Sequence, residues 1–125
     1  MTRLWVLASA GSFLALMWVG LAGQPAAQEK EADPAAGKAK YETLCVGCHG
    51  VSGKGDGPAA AALNPKPRNY TDKKYMATLK DEEIFKITKE GGPAVKKSQL
   101  MPAWGAALSD QDIRNIAAHI RTFAK

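Results

Sequence analysis

The residues able to do metal or redox chemistry are few in this 125-residue chain, and most of them stand together. Both cysteines and one of the two histidines fall within Cys45-Val46-Gly47-Cys48-His49. Two thiols three residues apart, followed at once by an imidazole, form the C-x-x-C-H pattern of covalent c-type haem attachment. The sequence therefore predicts one haem c, bound through thioethers at Cys45 and Cys48, with His49 as a ligand of its iron.

Other interpretations of this run explain less of it. A disulfide between Cys45 and Cys48 leaves His49 without a role, and a thioredoxin-like redox pair requires a β-α-β context that the sequence lacks. A zinc site needs four ligands, and His119 is the only further Cys or His in the chain. Haem attachment is the interpretation that uses all three residues of the motif.

A haem iron has a second axial position, and the sequence offers three candidates for it outside the N-terminal segment: Met101, Met76 and His119. Met101 precedes Pro102 in a predicted loop, where a stiff chain helps to hold a weak thioether ligand. Met76 and His119 fall in predicted helices, where such residues more often belong to the core. We expect Met101 to be the ligand, and an open sixth position is the alternative.

The first 28 residues have the layout of a secretory signal. Arg3 is their only charged residue, residues 4–22 are uncharged and mostly apolar, and a run of small residues follows. This pattern predicts a signal peptide over residues 1–28 and a periplasmic protein. An uncleaved leader would instead anchor the protein to the membrane through residues 4–22, because that stretch approaches the length of a membrane span.

Composition and charge exclude some classes of protein. Hydrophobic residues make up 46% of the chain and charged residues 23%, which is typical of a globular domain. The net charge of +5 comes with no nucleic-acid-binding motif, so we expect no nucleic-acid partner. We expect the basic loop residues to face acidic redox partners, with a purely solubilising role as the alternative. These residues are Lys54, Lys66, Arg68, Lys73, Lys74, Lys96 and Lys97.

The rest of the chain must position these groups. Apolar residues recur at helical spacing and no stretch alternates like a strand, which predicts an all-α domain of three to four helices wrapped around the haem. The predicted linker and helix start occupy residues 29–36, and the domain occupies residues 37–125. The predicted helices cover residues 33–48, 69–79 (a short segment), 81–89, and a last helix that Ser109 caps.

With these landmarks the chain resembles the class I c-type cytochromes, the small bacterial monohaem kind, over residues 34–125. The landmarks are Gly37, Tyr41, Cys45-x-x-Cys48-His49, the loop Gly53 to Pro58, Met101-Pro102, Ile116 and His119. The resemblance implies that Gly37 and Tyr41 pack across the last helix. The family usually has an aromatic residue at the position of His119.

The resemblance also implies contacts around the haem. The backbone carbonyl of Pro58 would accept a hydrogen bond from the second ring N–H of His49, which would orient the imidazole. Arg68 and Trp104 are candidates to contact the haem propionates, because a guanidinium suits a carboxylate. Asn69 and Tyr70 are further candidates for the same contacts.

In function, the resemblance implies a monomeric one-electron carrier with His/Met axial ligation, an electron-transfer protein rather than an enzyme. Two alternatives remain open at this point. The chain could be the cytochrome subunit of a larger dehydrogenase or oxidase complex. It could also be a gas-binding or peroxidatic haem protein, which requires an open sixth position and therefore requires Met101 to be absent from the iron.

Overall fold

A computed structural model describes residues 30–125, so the predicted signal peptide lies outside the described residues. Within this range the chain is helical and contains no strand, as predicted. None of the described helices has the length and apolar character needed to cross a membrane. The α-helices are α1 (Pro34–Leu44), α2 (Val46–His49), α3 (Lys73–Met76), α4 (Asp81–Glu90) and α5 (Asp110–Thr122), with 3₁₀ turns at Ala60–Ala62 and Pro93–Val95.

The predicted first helix is two helices with a joint at Cys45. Cys45 is a turn residue whose φ of −110° and ψ of −28° are a distorted right-handed conformation, and its N–H still donates to the carbonyl of Tyr41 at 2.8 Å. Helix α2 then begins, and the loop after it folds back so that the N–H groups of Gly57 and Ala59 donate to carbonyls of α2. The haem motif thus occupies a short helix anchored on both sides.

Capping residues set the ends of the longer helices where the sequence predicts them. The Asp33 carboxylate accepts from the N–H of Ala35 at 2.8 Å, and Ser109 forms a reciprocal capping box with Asp112. The hydrogen bonds from Ser109 lower the pKa of the Asp112 carboxyl. Gly91 ends α4 with a φ of 82°, a left-handed conformation that favours glycine.

The crossing of α1 and α5 forms the centre of the fold. Gly37 lies so close to α5 that a Cβ built on it would sit 1.9 Å from the carbonyl oxygen of Asn115. Tyr41 is fully buried, and its ring meets that of His119 edge-on at 5.1 Å between centroids. Both observations agree with what the resemblance implies for these positions.

The remaining core surrounds this crossing and is tied together by Arg121. The guanidinium of Arg121 donates to the carbonyls of Met76 and Leu79 and contacts Asp81, so one side chain of α5 fixes the end of α3 and the start of α4. The buried apolar cluster consists of Tyr41, Met76, Ile84, Leu108, Ile113, Ile116, Ala117 and Ile120.

Candidate haem site

A cavity of about 420 Å³ brings together chemical groups that are far apart in the sequence. Cys48 and His49 line it from α2, and Met101 lines it from the loop between α4 and α5. Its volume falls in the range of roughly 300–1,000 Å³ that is usual for ligand pockets. The other walls are mainly apolar or aromatic side chains: Leu63, Pro65, Pro67, Tyr70, Tyr75, Leu79, Ile84, Ile87, Leu100 and Pro102.

The two thiols stand at the α1–α2 joint. Neither cysteine is in a disulfide, and both are half-buried. Burial, with a smaller contribution from the neighbouring Cys48, raises the pKa of the Cys45 thiol to about 11. Both residues are therefore free for thioether formation, and Cys45 is a neutral thiol at neutral pH.

The imidazole of His49 is buried between the motif and the segment that precedes α3. Its ring stacks on that of Tyr70 at 4.7 Å between centroids, and the Tyr70 hydroxyl lies 3.3 Å from Nε2. Burial lowers the pKa of His49, opposed by the hydrogen bond to the backbone of Arg68. His49 is therefore held as a neutral imidazole, the form that binds metals.

The second ring nitrogen of His49 faces a different carbonyl from the one that the resemblance implies. His49 Nδ1 lies 3.4 Å from the carbonyl oxygen of Arg68, whereas Pro58 is an exposed residue of the loop after α2. The segment around Arg68 is brought there because the N–H of Tyr70 donates to the carbonyl of Gly53 at 2.7 Å. The Pro58 contact stays a prediction, and Arg68 supplies the carbonyl in this structure.

Of the three candidates for the second axial position, only Met101 lines the cavity. Met76 is 1% exposed within the apolar core, and its side chain is not part of the cavity wall. His119 packs edge-on against Tyr41 and Phe123 at the α1–α5 crossing. The geometry therefore favours Met101 over both alternatives.

Backbone hydrogen bonds hold the loop that carries Met101 against the end of α4. The N–H of Trp104 donates to the carbonyl of Thr88 at 3.0 Å, and that of Gly105 donates to the carbonyl of Lys89 at 2.9 Å. The N–H of Gly92 donates to the carbonyl of Met101 itself at 3.0 Å. The glycines after α4 thus end the helix and also hold the loop that carries Met101, a role that no local pattern in the sequence indicates.

Only some of the residues predicted to contact the haem propionates line the cavity. Arg68 and Tyr70 line the cavity, whereas Trp104 packs against the apolar core and is not part of the cavity wall. The side-chain oxygen of Asn69 accepts from the N–H and hydroxyl of Thr71, so it is engaged locally. Arg68 is thus at the cavity, and a propionate contact by Trp104 or Asn69 finds no support in this geometry.

The cavity wall carries positive charge without a compensating carboxylate. Its lining includes no Asp or Glu. The guanidinium of Arg68 lies 4.0 Å from the centre of the Tyr75 ring, and Lys97 Nζ donates to the Tyr75 hydroxyl at 3.4 Å. These cations suit a ligand that carries carboxylates. The four cationic lining residues are Lys66, Arg68, Lys96 and Lys97.

Taken together, the donors fit haem c. Cys48 offers a thiol in the cavity wall and Cys45 a second thiol three residues earlier, at the α1–α2 joint and outside the wall itself. His49 offers a neutral imidazole, and Met101 offers a thioether from another wall of the cavity. Imidazole and thioether are ligands that haem iron accepts, and the cations of the wall suit two propionates.

Comparisons with known proteins agree with this assignment. The family described as "Cytochrome C oxidase, cbb3-type, subunit III" matches residues 32–120. Cytochrome c-554(547) of Halothiobacillus neapolitanus is 36% identical over 95 residues, which are 72% of this chain and 96% of that protein. Cytochrome c-554(548) of Halomonas halodenitrificans is 36% identical over 87 residues, which are 70% of this chain and 92% of that protein.

A solved structure shares the fold. The KustC0563 c-type cytochrome superposes with a TM-score of 0.57 at 26% sequence identity, covering 71% of this chain and 98% of that chain. The family match over residues 32–120 spans α1 to α4 and most of α5, and it includes Cys45-x-x-Cys48-His49.

Proposed function

The chain belongs to the c-type cytochromes, and we propose that it is a periplasmic one-electron carrier whose haem iron is bound by His49 and Met101. Membership of the family implies a covalently bound haem c and a role in electron transfer rather than catalysis. When bound, the haem supplies an iron that accepts and releases one electron. The observation that carries the proposal is that His49 and Met101 line the same cavity as Cys48.

The residues of the site explain why a carrier role follows from this ligand set. His49 and Met101 together would fill both axial positions, which leaves no place for a substrate or a gas. A methionine ligand favours the reduced metal and raises its potential. The mainly apolar wall acts in the same direction, because it disfavours the additional positive charge of the oxidised site.

The partner is a redox protein, and we propose that its docking surface is acidic. The seven loop and α3 cations predicted to face it form no ion pair within residues 30–125. Four of these cations, Lys66, Arg68, Lys96 and Lys97, line the cavity. Cations without a carboxylate partner beside the redox centre increase the rate of encounter with an acidic surface and make that rate sensitive to salt.

Two measurements on protein made in a haem-ligating host test the proposal. Mass spectrometry should show the mass of one haem added to a chain that lacks residues 1–28. A spectroelectrochemical titration should follow a one-electron curve, with the sulfur–iron absorption band in the oxidised state. A chain that keeps its leader would contradict a free carrier in favour of a membrane-anchored one, and a two-electron or irreversible titration would contradict the carrier role.

A second function is favoured by the description of the matched family, which is a subunit of an oxidase. Under this alternative the chain would deliver electrons within a stable complex. Purification from gently solubilised membranes distinguishes the two. A free carrier elutes alone at the size of one chain, whereas a subunit elutes with larger proteins in constant proportion.

A further inference from the structure

We propose that Gly92 is a positioning residue that holds Met101 at the axial position of the haem iron. The inference rests on the proposed function, because it requires Met101 to be the ligand. The buried residue Gly92 forms backbone hydrogen bonds to both ends of the segment that leads to Met101. Its backbone lies so close to this segment that a side chain on residue 92 would collide with it.

Both backbone polar groups of Gly92 bind this segment. Its N–H donates to the carbonyl of Met101 at 3.0 Å, and its carbonyl accepts from the N–H of Lys97 at 2.8 Å. Residues 97–101 are therefore closed into a loop by hydrogen bonds to a single residue. The carbonyl of Ser98 additionally accepts from the N–H of Met101 at 3.3 Å, which tightens the turn just before the ligand.

The position excludes a side chain for steric reasons alone. Gly92 has φ −60° and ψ −40°, a conformation that any residue adopts, so backbone freedom does not explain a glycine here. A Cβ at this position would lie 1.9 Å from the carbonyl oxygen of Ser98 and 2.9 Å from its carbonyl carbon. Because both atoms belong to the backbone, the 97–101 loop itself would have to move.

Movement of this loop matters because a thioether binds weakly and depends on being held in place. Pro102 stiffens the chain after Met101, and the hydrogen bonds of Gly92 to Lys97 and Met101 restrain the segment that leads to it. The site requires ligand geometry within about 0.5 Å, and the displacement that a Cβ on Gly92 demands is larger than that. We therefore expect substitution to weaken methionine ligation while leaving the helical core intact.

The test compares Gly92→Ala with Gly37→Ala in the haem-loaded protein. The two substitutions are matched, since each added Cβ would sit 1.9 Å from a backbone carbonyl oxygen, one in the methionine loop and one at the α1–α5 crossing. We measure the sulfur–iron band of the oxidised protein and the affinity of added imidazole for the iron. Circular dichroism and urea unfolding report the fold.

We expect Gly92→Ala to lose most of the sulfur–iron band or to bind imidazole at least about tenfold more tightly, which corresponds to about 1.4 kcal/mol of lost methionine ligation. Gly37→Ala should lower the urea midpoint and keep the band while it is folded. If Gly92→Ala keeps the wild-type band and imidazole affinity, the inference is wrong although the carrier proposal stands. If the wild-type protein itself lacks the band, the proposed ligation is wrong.

Gly91→Ala keeps the inference testable if Gly92→Ala yields too little protein. A Cβ on Gly91 would lie 3.0 Å from the carbonyl oxygen of Met101, and the φ of 82° is strained for alanine, so this variant also displaces the methionine loop. It should bind imidazole more tightly than the wild type. An affinity equal to that of the wild type would count against the role of the Gly92 hydrogen bonds in holding Met101.

Discussion

The α1–α5 crossing and the wall of the haem cavity are built on different principles. At the crossing, helices touch backbone to backbone through Gly37, and the buried apolar cluster surrounds them. The cavity wall is made largely of loops that backbone hydrogen bonds hold in place. The first region supplies stability and the second positions ligands, so the same substitution should have different consequences in each.

The long helices and the cavity loops also differ in how their cations are paired with carboxylates. Each cation of α1, α4 and α5 lies within 4.0 Å of a carboxylate, whereas the seven cations of the loops and α3 form no ion pair in the described residues. Exposed ion pairs contribute little to stability. The pairing matters chiefly because it leaves the cations of the loops and α3 as the ones without a carboxylate partner. Four of the seven unpaired cations line the cavity, where we expect a partner to approach.

The largest expected effect comes from removing haem attachment with Cys45→Ser and Cys48→Ser together. A domain of this size has a marginal core, and the cavity wall loses its internal support without the haem. We expect a largely unfolded chain with low helicity and no cooperative urea transition, measured by circular dichroism. A cooperative, helical double variant would show that the α1–α5 crossing sustains the fold alone.

The next effect is that of Gly37→Ala on stability. Forcing a Cβ into the α1–α5 contact should cost about 1–3 kcal/mol of unfolding free energy, as overpacking of a core usually does. Urea unfolding of the haem-loaded protein measures it. Ala36→Gly is the control on the exposed face of the same helix, with an expected loss of about 1 kcal/mol from helix propensity alone. Equal losses in the two variants would argue against a close α1–α5 contact.

A smaller effect is expected from reversing charge on the cavity side. Lys97→Glu should lower the association rate with an acidic redox protein several-fold at low salt, with the difference shrinking as salt is raised. Lys86→Glu is the matched control, because Lys86 is paired with Glu90 on α4. Stopped-flow kinetics measures both rates. Equal effects of the two variants would mean that net charge alone, rather than this surface, sets the rate.

The smallest effect concerns pH and the α1–α5 crossing. Burial, and the nearby Lys38, lower the pKa of His119, while Glu42 opposes them. The unfolded chain therefore binds a proton more readily than the folded protein. As pH falls below the ordinary histidine pKa of about 6.5, the free energy of unfolding therefore decreases. His119→Tyr should flatten this part of the pH dependence of the urea midpoint. A slope equal to that of the wild type would place the titrating group elsewhere.

What the sequence predicted correctly was local. The start of the first helix near residue 33 and the Ser109 cap of the last helix each depend on residues within a few positions of one another. The binding roles of Cys45, Cys48 and His49 stay predictions. The comparisons confirm the family and its haem c, and the all-α fold is confirmed by the structure and its solved relative. The roles of Pro58, Trp104 and Met101 stay predictions.

What the sequence could not predict depends on contacts between distant segments. The break at Cys45 and the Arg68 carbonyl opposite His49 arise from loops that fold back on the motif. Arg121 joins α5 to α3 and α4, and Gly92 joins α4 to the methionine loop. No local pattern marks such pairs, because their partners are chosen by the packing of the whole domain.

The central claim is that His49 and Met101 are the two ligands of the iron, and the absorption spectrum of the oxidised protein tests it most directly. The wild type should show the sulfur–iron band, Met101→Ala should lose it, and the control Met76→Leu should keep it, because Met76 is in the core. A band that survives Met101→Ala, or disappears in Met76→Leu while the protein remains folded, would contradict the assignment.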